Sequence, residues 1–269
     1  MMQRTLTGVV SAALLLTVVY LGGWVLDIGV MLVALLGCYE MLGAFQKAGL
    51  TPARWPVFGM SVLMLPVFRL FGSAGVYLLV CSATMVVMLQ MALRKHPKWQ
   101  DAAASFNVLI SVPIPLSLLY PIVRIQPDAL GKLLILSVFA IAIFGDTAAY
   151  FIGSTLGKHK MTPELSPKKT WEGAAAGLLG SVVGAGLLCL IGRAITPMPP
   201  LWHFLLLGLF GGIAGQLGDL TASLIKRFCG IKDFGTLFPG HGGMMDRVDS
   251  VIFVSYVVFG YCMAAGLLG

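Results

Sequence analysis

Nine runs of this chain are apolar over lengths that match a bilayer, at residues 5–26, 28–45, 55–71, 73–93, 104–123, 131–156, 172–195, 201–225 and 250–268. A hydrocarbon core about 30 Å thick takes about 20 residues of helix. Lipid offers no hydrogen bonds to backbone groups, so each run must satisfy its own, and a helix does that. The fifth run is the weakest, because Pro113, Pro115 and Pro121 each remove a backbone donor and favour a kink. With 58% hydrophobic residues, 11% charged residues and a mean hydropathy of +0.92, the chain has too little polar surface to cover a soluble domain of 269 residues. The expected fold is all-α, a polytopic integral membrane protein with about nine transmembrane helices.

Basic residues test that count, since Lys and Arg in short loops favour the cytoplasmic side. With the N-terminus inside, only Arg69, Arg124, Lys132 and Arg193 of the 18 basic residues fall outside. A miscounted helix would switch every later loop to the other side. The asymmetry therefore points to a cytoplasmic N-terminus and an external C-terminus, in a multi-pass protein expected in the inner, cytoplasmic membrane of the cell. Arg4 and the first run resemble the start of a signal peptide, but residues 20–26 are too bulky for a small-residue cleavage site, and the run reads as a retained anchor. The formal charge of +7 and the pI near 9.3 do not imply nucleic acid, because the cations sit in membrane loops without interleaved aromatics. Anionic lipid or phosphate ligands explain them better. Cys38, Cys81, Cys189, Cys229 and Cys262 are scattered and mostly inside apolar runs, which fits packing rather than a disulfide framework or a zinc site.

Residues 1–130 read as transmembrane scaffold and residues 131–269 as catalytic helices and cytoplasmic loops, within one continuous membrane domain. Glu40 is the exception in the first part, two turns before Lys47 and near the cytoplasmic interface, where a carboxylate is tolerated. In the second part, glycines at intervals of three and four, such as Gly177, Gly180 and Gly184, and Gly208, Gly211 and Gly215, allow close helix approach.

Chemistry concentrates in the second part. Asp146, in IFGDTAAYFIGSTLGK, precedes Lys158 by about 18 Å of helix at 1.5 Å per residue. At that depth it needs a cavity or a partner, and either role is open. The following loop, GKHKMTPELSPKKTWEG, offers Lys158, Lys160, Lys168 and Lys169 beside the hydroxyls of Ser166 and Thr170, donors that suit phosphate oxygens. Asp219, Ser223 and Lys226 share one helix face, with Asp219 about 10 Å below the lysine. The last loop sets Gly240, Gly242 and Gly243 around His241, directly before Asp246 and Asp249. Glycines let backbone N–H groups approach an anion, and a helix N-terminus favours negative charge. Asp246 and Asp249 face the same way and could share a hard cation with Asp219; helix capping accounts for one of the pair. All the candidate ligands are oxygens, so magnesium is the metal expected, with one or two cations beside a nucleoside triphosphate or pyrophosphate. No Walker A sequence is present.

Residues 223–249 also fit a longer pattern, S-x-x-K-R-x4-K-D-x-G-x3-P-x-H-G-G-x-x-D-R-x-D, carried by Ser223, Lys226, Arg227, Lys232, Asp233, Gly235, Pro239, His241, Gly242, Gly243, Asp246, Arg247 and Asp249. This resembles the signature of the phosphatidate cytidylyltransferase family, and the SPKKTWEG loop and the stretch from Asp146 to Lys158 look like that family too. The resemblance implies CDP-diacylglycerol synthesis for phospholipids, from CTP and phosphatidic acid drawn from the bilayer, with Mg²⁺. It fits Asp219, Asp246 and Asp249 as metal ligands, Lys226 and His241 beside them in catalysis, and Ser166, Lys168, Lys169, Ser223, Arg227, Lys232, Gly242, Gly243, Arg247 and Asp146 around the substrates. Membrane lipids are the other expected partners, and a homodimer is left open. Two alternatives stand beside this reading: a CTP-dependent membrane lipid kinase, and a transporter of anions or phospholipid.

Overall fold

Apolar runs become helices along nearly the whole chain. A computed structural model describes residues 2–238, 240 and 242–268, with side chains from residue 8 onward. The elements are α1 (Met2–Leu21), α2 (Gly23–Lys47), α3 (Arg54–Ala92), α4 (Trp99–Ser111), α5 (Pro113–Ser117), α6 (Leu119–Ile122), α7 (Asp128–Thr155), β1 (Lys160–Thr162), β2 (Ser166–Thr170), α8 (Trp171–Gly192), α9 (Leu201–Phe228) and α10 (Met245–Ala264). Among the described residues seven helical stretches are long and apolar enough to cross a membrane, and Gly8–Leu21 is a shorter apolar helix.

Two departures from the sequence reading and one break that it foresaw have local causes. The third and fourth apolar runs form one element, α3, which at 1.5 Å per residue would be about 58 Å long if straight. Gly72, between the two runs, takes φ 62° and ψ −156°, a conformation that only glycine adopts cheaply, and the helix kinks there. The proline-bearing run splits into α4, α5 and α6, with Val112 at φ −125° and ψ −74° and Pro113 opening α5. The lysine-rich loop is a small antiparallel hairpin rather than irregular chain, pairing Lys160 with Thr170 and Thr162 with Ser166.

The chain divides into two compact units, Met1–Tyr120 with Lys226–Arg247, and Pro121–Ile225 with Val248–Gly269. Most of the signature segment thus belongs with the N-terminal helices. In the first unit, Cys38, Met41, Val57, Met60 and Val87 are buried. Charge enters this unit deliberately. Asp27, 1% exposed, pairs with Arg69, whose guanidinium lies 3.9 Å from the Trp24 ring centroid. Asp101 takes the Thr51 N–H at 2.8 Å, the Thr51 hydroxyl at 2.6 Å and Arg94 at 3.0 Å. Buried carboxylates persist only when so satisfied.

The second unit is built on glycine contacts. A methyl at Gly180 would stand 2.6 Å from the Phe144 carbonyl oxygen on α7, and one at Gly208 would stand 2.6 Å from Val182 Cα on α8. Both helices therefore meet their neighbours backbone to backbone, as small residues permit in lipid. Ser181 donates its hydroxyl to the Ile141 carbonyl at 2.9 Å across the α7–α8 contact.

Candidate active site

Close helix packing in the second unit leaves room for a polar opening. α7, the hairpin, α8 and α9 surround a cavity of about 460 Å³ whose wall includes Asp146, Lys160, Lys168, Lys169, Gln216 and Asp219. The hairpin is held at both ends. Thr170 caps α8 by accepting the Gly173 N–H at 3.2 Å, and Glu172 accepts the Lys158 and His159 N–H groups at 3.2 Å while its other oxygen meets His159 Nδ1 at 2.6 Å. Gly153 in α7 and Gly157 just past its end let the chain pass beside the Thr170 hydroxyl, which would lie 3.2 Å and 2.6 Å from a methyl at the respective position. Thus anchored, Lys169 reaches Asp219 on α9 at 2.8 Å. Asp146, exposed to the cavity, accepts the Ser250 hydroxyl at 3.4 Å. Gln216 lines the wall and donates to the Ala174 carbonyl at 2.9 Å.

A second polar group lies in the first unit. Lys226 Nζ meets Asp246 Oδ1 at 2.9 Å, with the side chains 12% and 4% exposed. The other Asp246 oxygen accepts the Phe234 N–H at 2.8 Å and the Gly243 N–H at 3.0 Å. Asp246 is therefore fully engaged, part ion pair and part cap of α10. Glu40, from α2, accepts the adjacent N–H groups of Met244 and Met245 at 2.9 Å and 2.8 Å.

Of the other candidates, Asp249 is half-buried and its Oδ1 accepts the Ser250 N–H at 2.8 Å. Ser223 is buried on α9, and Ser166 opens β2. Arg227, Lys232 and Arg247 are exposed. Gly242 sits at φ 82°, and its carbonyl accepts the Phe238 N–H at 2.9 Å, closing the turn. His241 lies outside the described residues, as does Pro239 of the signature.

Among the described residues no three His, Cys, Asp or Glu side chains stand together as a ready metal site. The donor chemistry nonetheless suits a hard cation. Asp219 and Asp246 each already hold one ammonium group, so both positions are built around positive charge, and both offer only oxygen.

Sequence reasoning did not foresee the contacts of Glu40 with the start of α10, nor the place of Gln216 in the cavity wall. A lone carboxylate inside an apolar run was the available signal for Glu40. Gln216, in a glycine-rich helix, left only its polarity.

A family model described as Cytidylyltransferase family matches residues 2–265. The phosphatidate cytidylyltransferase of Bacillus subtilis (strain 168) is 32% identical over 259 residues, covering 94% of each chain. That of Staphylococcus haemolyticus is 31% identical over 256 residues, 94% of this chain and 96% of its own. That of Staphylococcus aureus (strain COL) is 33% identical over 263 residues, again 94% and 96%.

Proposed function

The chain belongs to the cytidylyltransferase family, and from that premise we propose that it makes CDP-diacylglycerol and pyrophosphate from CTP and phosphatidic acid. What carries the reading is the cavity that joins Lys160, Lys168 and Lys169 to Asp146 and Asp219 inside an apolar helical unit. Lysines in such a place suit phosphates, and an apolar surround suits a substrate whose acyl chains stay in lipid.

In the reaction a phosphate oxygen of phosphatidate attacks the α-phosphorus of CTP in line. The bond from that phosphorus to the bridging oxygen breaks, and pyrophosphate leaves with the electron pair. Phosphatidate is already an anion at neutral pH, so no general base is required. The lysines of the hairpin neutralise phosphates and hold the reacting groups together, which is most of what phosphoryl chemistry asks of a protein. Lys226, Arg227, Lys232 and Arg247 add positive charge on the signature segment, Ser166, Ser223, Gly242 and Gly243 contact substrate, and His241 orients a phosphate or donates a proton. Asp219, Asp246 and Asp249 are the residues that would hold Mg²⁺, which when bound offsets charge on the leaving pyrophosphate. The lysine and arginine asymmetry supports nine crossings, a cytoplasmic N-terminus and a site that opens to the cytoplasm, where CTP is.

The test uses CTP labelled on the α-phosphate with phosphatidic acid vesicles, with and without Mg²⁺. Label extracted into lipid together with equimolar pyrophosphate is the expected result. Release of CDP without lipid-borne label would instead identify a lipid kinase. Absence of any Mg²⁺-dependent CTP turnover in detergent would reject both.

A further inference from the structure

Glu40 belongs to neither the cavity nor the signature, yet it is built into the backbone that presents Asp246. The residue is 9% exposed. It accepts two consecutive main-chain donors, Met244 N–H on Oε1 and Met245 N–H on Oε2. These open α10, where N–H groups lack intrahelical partners and negative charge is favoured. The donor just before them, Gly243 N–H, goes to Asp246, which also takes the Phe234 N–H and Lys226. Methyl groups at Gly235 or Gly243 would strike the Glu40 carboxylate, so glycine stands at both places where it lies against the chain.

Three successive donors, at 243, 244 and 245, are thus divided between two carboxylates. We propose that Glu40 is a positioning residue for the reaction: by holding the Met244 and Met245 N–H groups, it leaves Gly243 N–H to Asp246 and fixes Asp246 toward Lys226. This rests on the reading of the chain as a phosphatidate cytidylyltransferase with Asp246 in its working site. Without the Glu40 carboxylate, two unsatisfied donors stand one and two residues from Asp246. They draw its carboxylate away from Lys226.

The experiment compares wild type with Glu40→Gln, Glu40→Asp and Glu40→Ala, purified in detergent. It measures kcat and the KM for each substrate, and amide hydrogen exchange across residues 243–246. In Glu40→Gln an amide nitrogen faces a backbone donor, so kcat/KM for CTP should fall about 10- to 100-fold, as for residues that orient a charged ligand group. The KM for CTP should rise, the KM for phosphatidate should stay, and residues 243–246 should exchange faster. Formate should restore part of the activity of Glu40→Ala, and chloride at equal ionic strength should not. A side chain that only steadied the fold would scale kcat with the folded fraction and leave both KM values and the formate response flat; that result overturns the proposal. Should Glu40→Gln fail to fold, Glu40→Asp gives the same reading, with a smaller rise in KM because its shorter arm retains the charge. A wild type that makes no CDP-diacylglycerol overturns the functional reading and this proposal with it. An active wild type with unmoved variant constants overturns this proposal alone.

Discussion

Two lysine–aspartate pairs of almost equal length sit in different surroundings. Lys226–Asp246, at 2.9 Å, is 12% and 4% exposed and tied into a helix cap. Lys169–Asp219, at 2.8 Å, is 24% and 34% exposed and borders a cavity. A buried charge that loses its partner is costly, whereas a wet pair contributes little to stability. The lesson is that the first pair organises backbone, while the second keeps charge available to a ligand.

The sharpest way to break that contrast is Asp246→Asn. It should abolish CTP- and phosphatidate-dependent pyrophosphate release and also cost about 3 kcal/mol, because Lys226 is left buried without its counter-charge. Pyrophosphate assays and thermal midpoints in detergent measure the two effects, and full activity would remove Asp246 from the site. Asp219→Asn should likewise abolish activity but move stability by less than about 1 kcal/mol. A large fall in its midpoint would mean that the two pairs do the same work. Lys169→Met comes next, with an expected loss of about 10-fold in kcat/KM for CTP, from one charge-assisted phosphate contact worth about 1.5 kcal/mol. Gly208→Ala should leave the chemistry alone and destabilise the second unit by about 1–3 kcal/mol, since the methyl meets α8 backbone. Smallest of all is Gly59→Ala on α3, where nothing lies within 4 Å of the added methyl; it should be neutral or stabilising by up to about 1 kcal/mol.

What the sequence revealed follows from what lipid enforces. Apolar runs had to become helices, so the spans around Phe45, Leu134 and Val254 were readable from hydropathy alone. Pro113, Pro115 and Pro121 announced a broken helix, and α4 to α6 are that. Gly72 gave no such warning, because a glycine in an apolar run is usually just helix. The hairpin was hidden because Lys160–Thr162 is too short for an alternating pattern. Its existence depends on Glu172 and Thr170 clamping both ends, contacts set by three-dimensional closure. Among site residues, Lys169 and Asp219 were individually visible as charges, and their pairing was not. Glu40 was visible as an oddity but its partners were not, since they are backbone groups some two hundred residues away, and backbone donors carry no letter in the sequence.

That separation has a consequence for how the protein is made. Glu40 emerges from the ribosome 204 residues ahead of Met244, roughly 10–40 s earlier at typical elongation rates. Until α10 arrives, the Glu40 carboxylate in the first unit lacks the two N–H donors that satisfy it, a state that costs free energy. The two Glu40 contacts are therefore among the last that the first unit can complete, and a chain truncated before residue 244 lacks both donors.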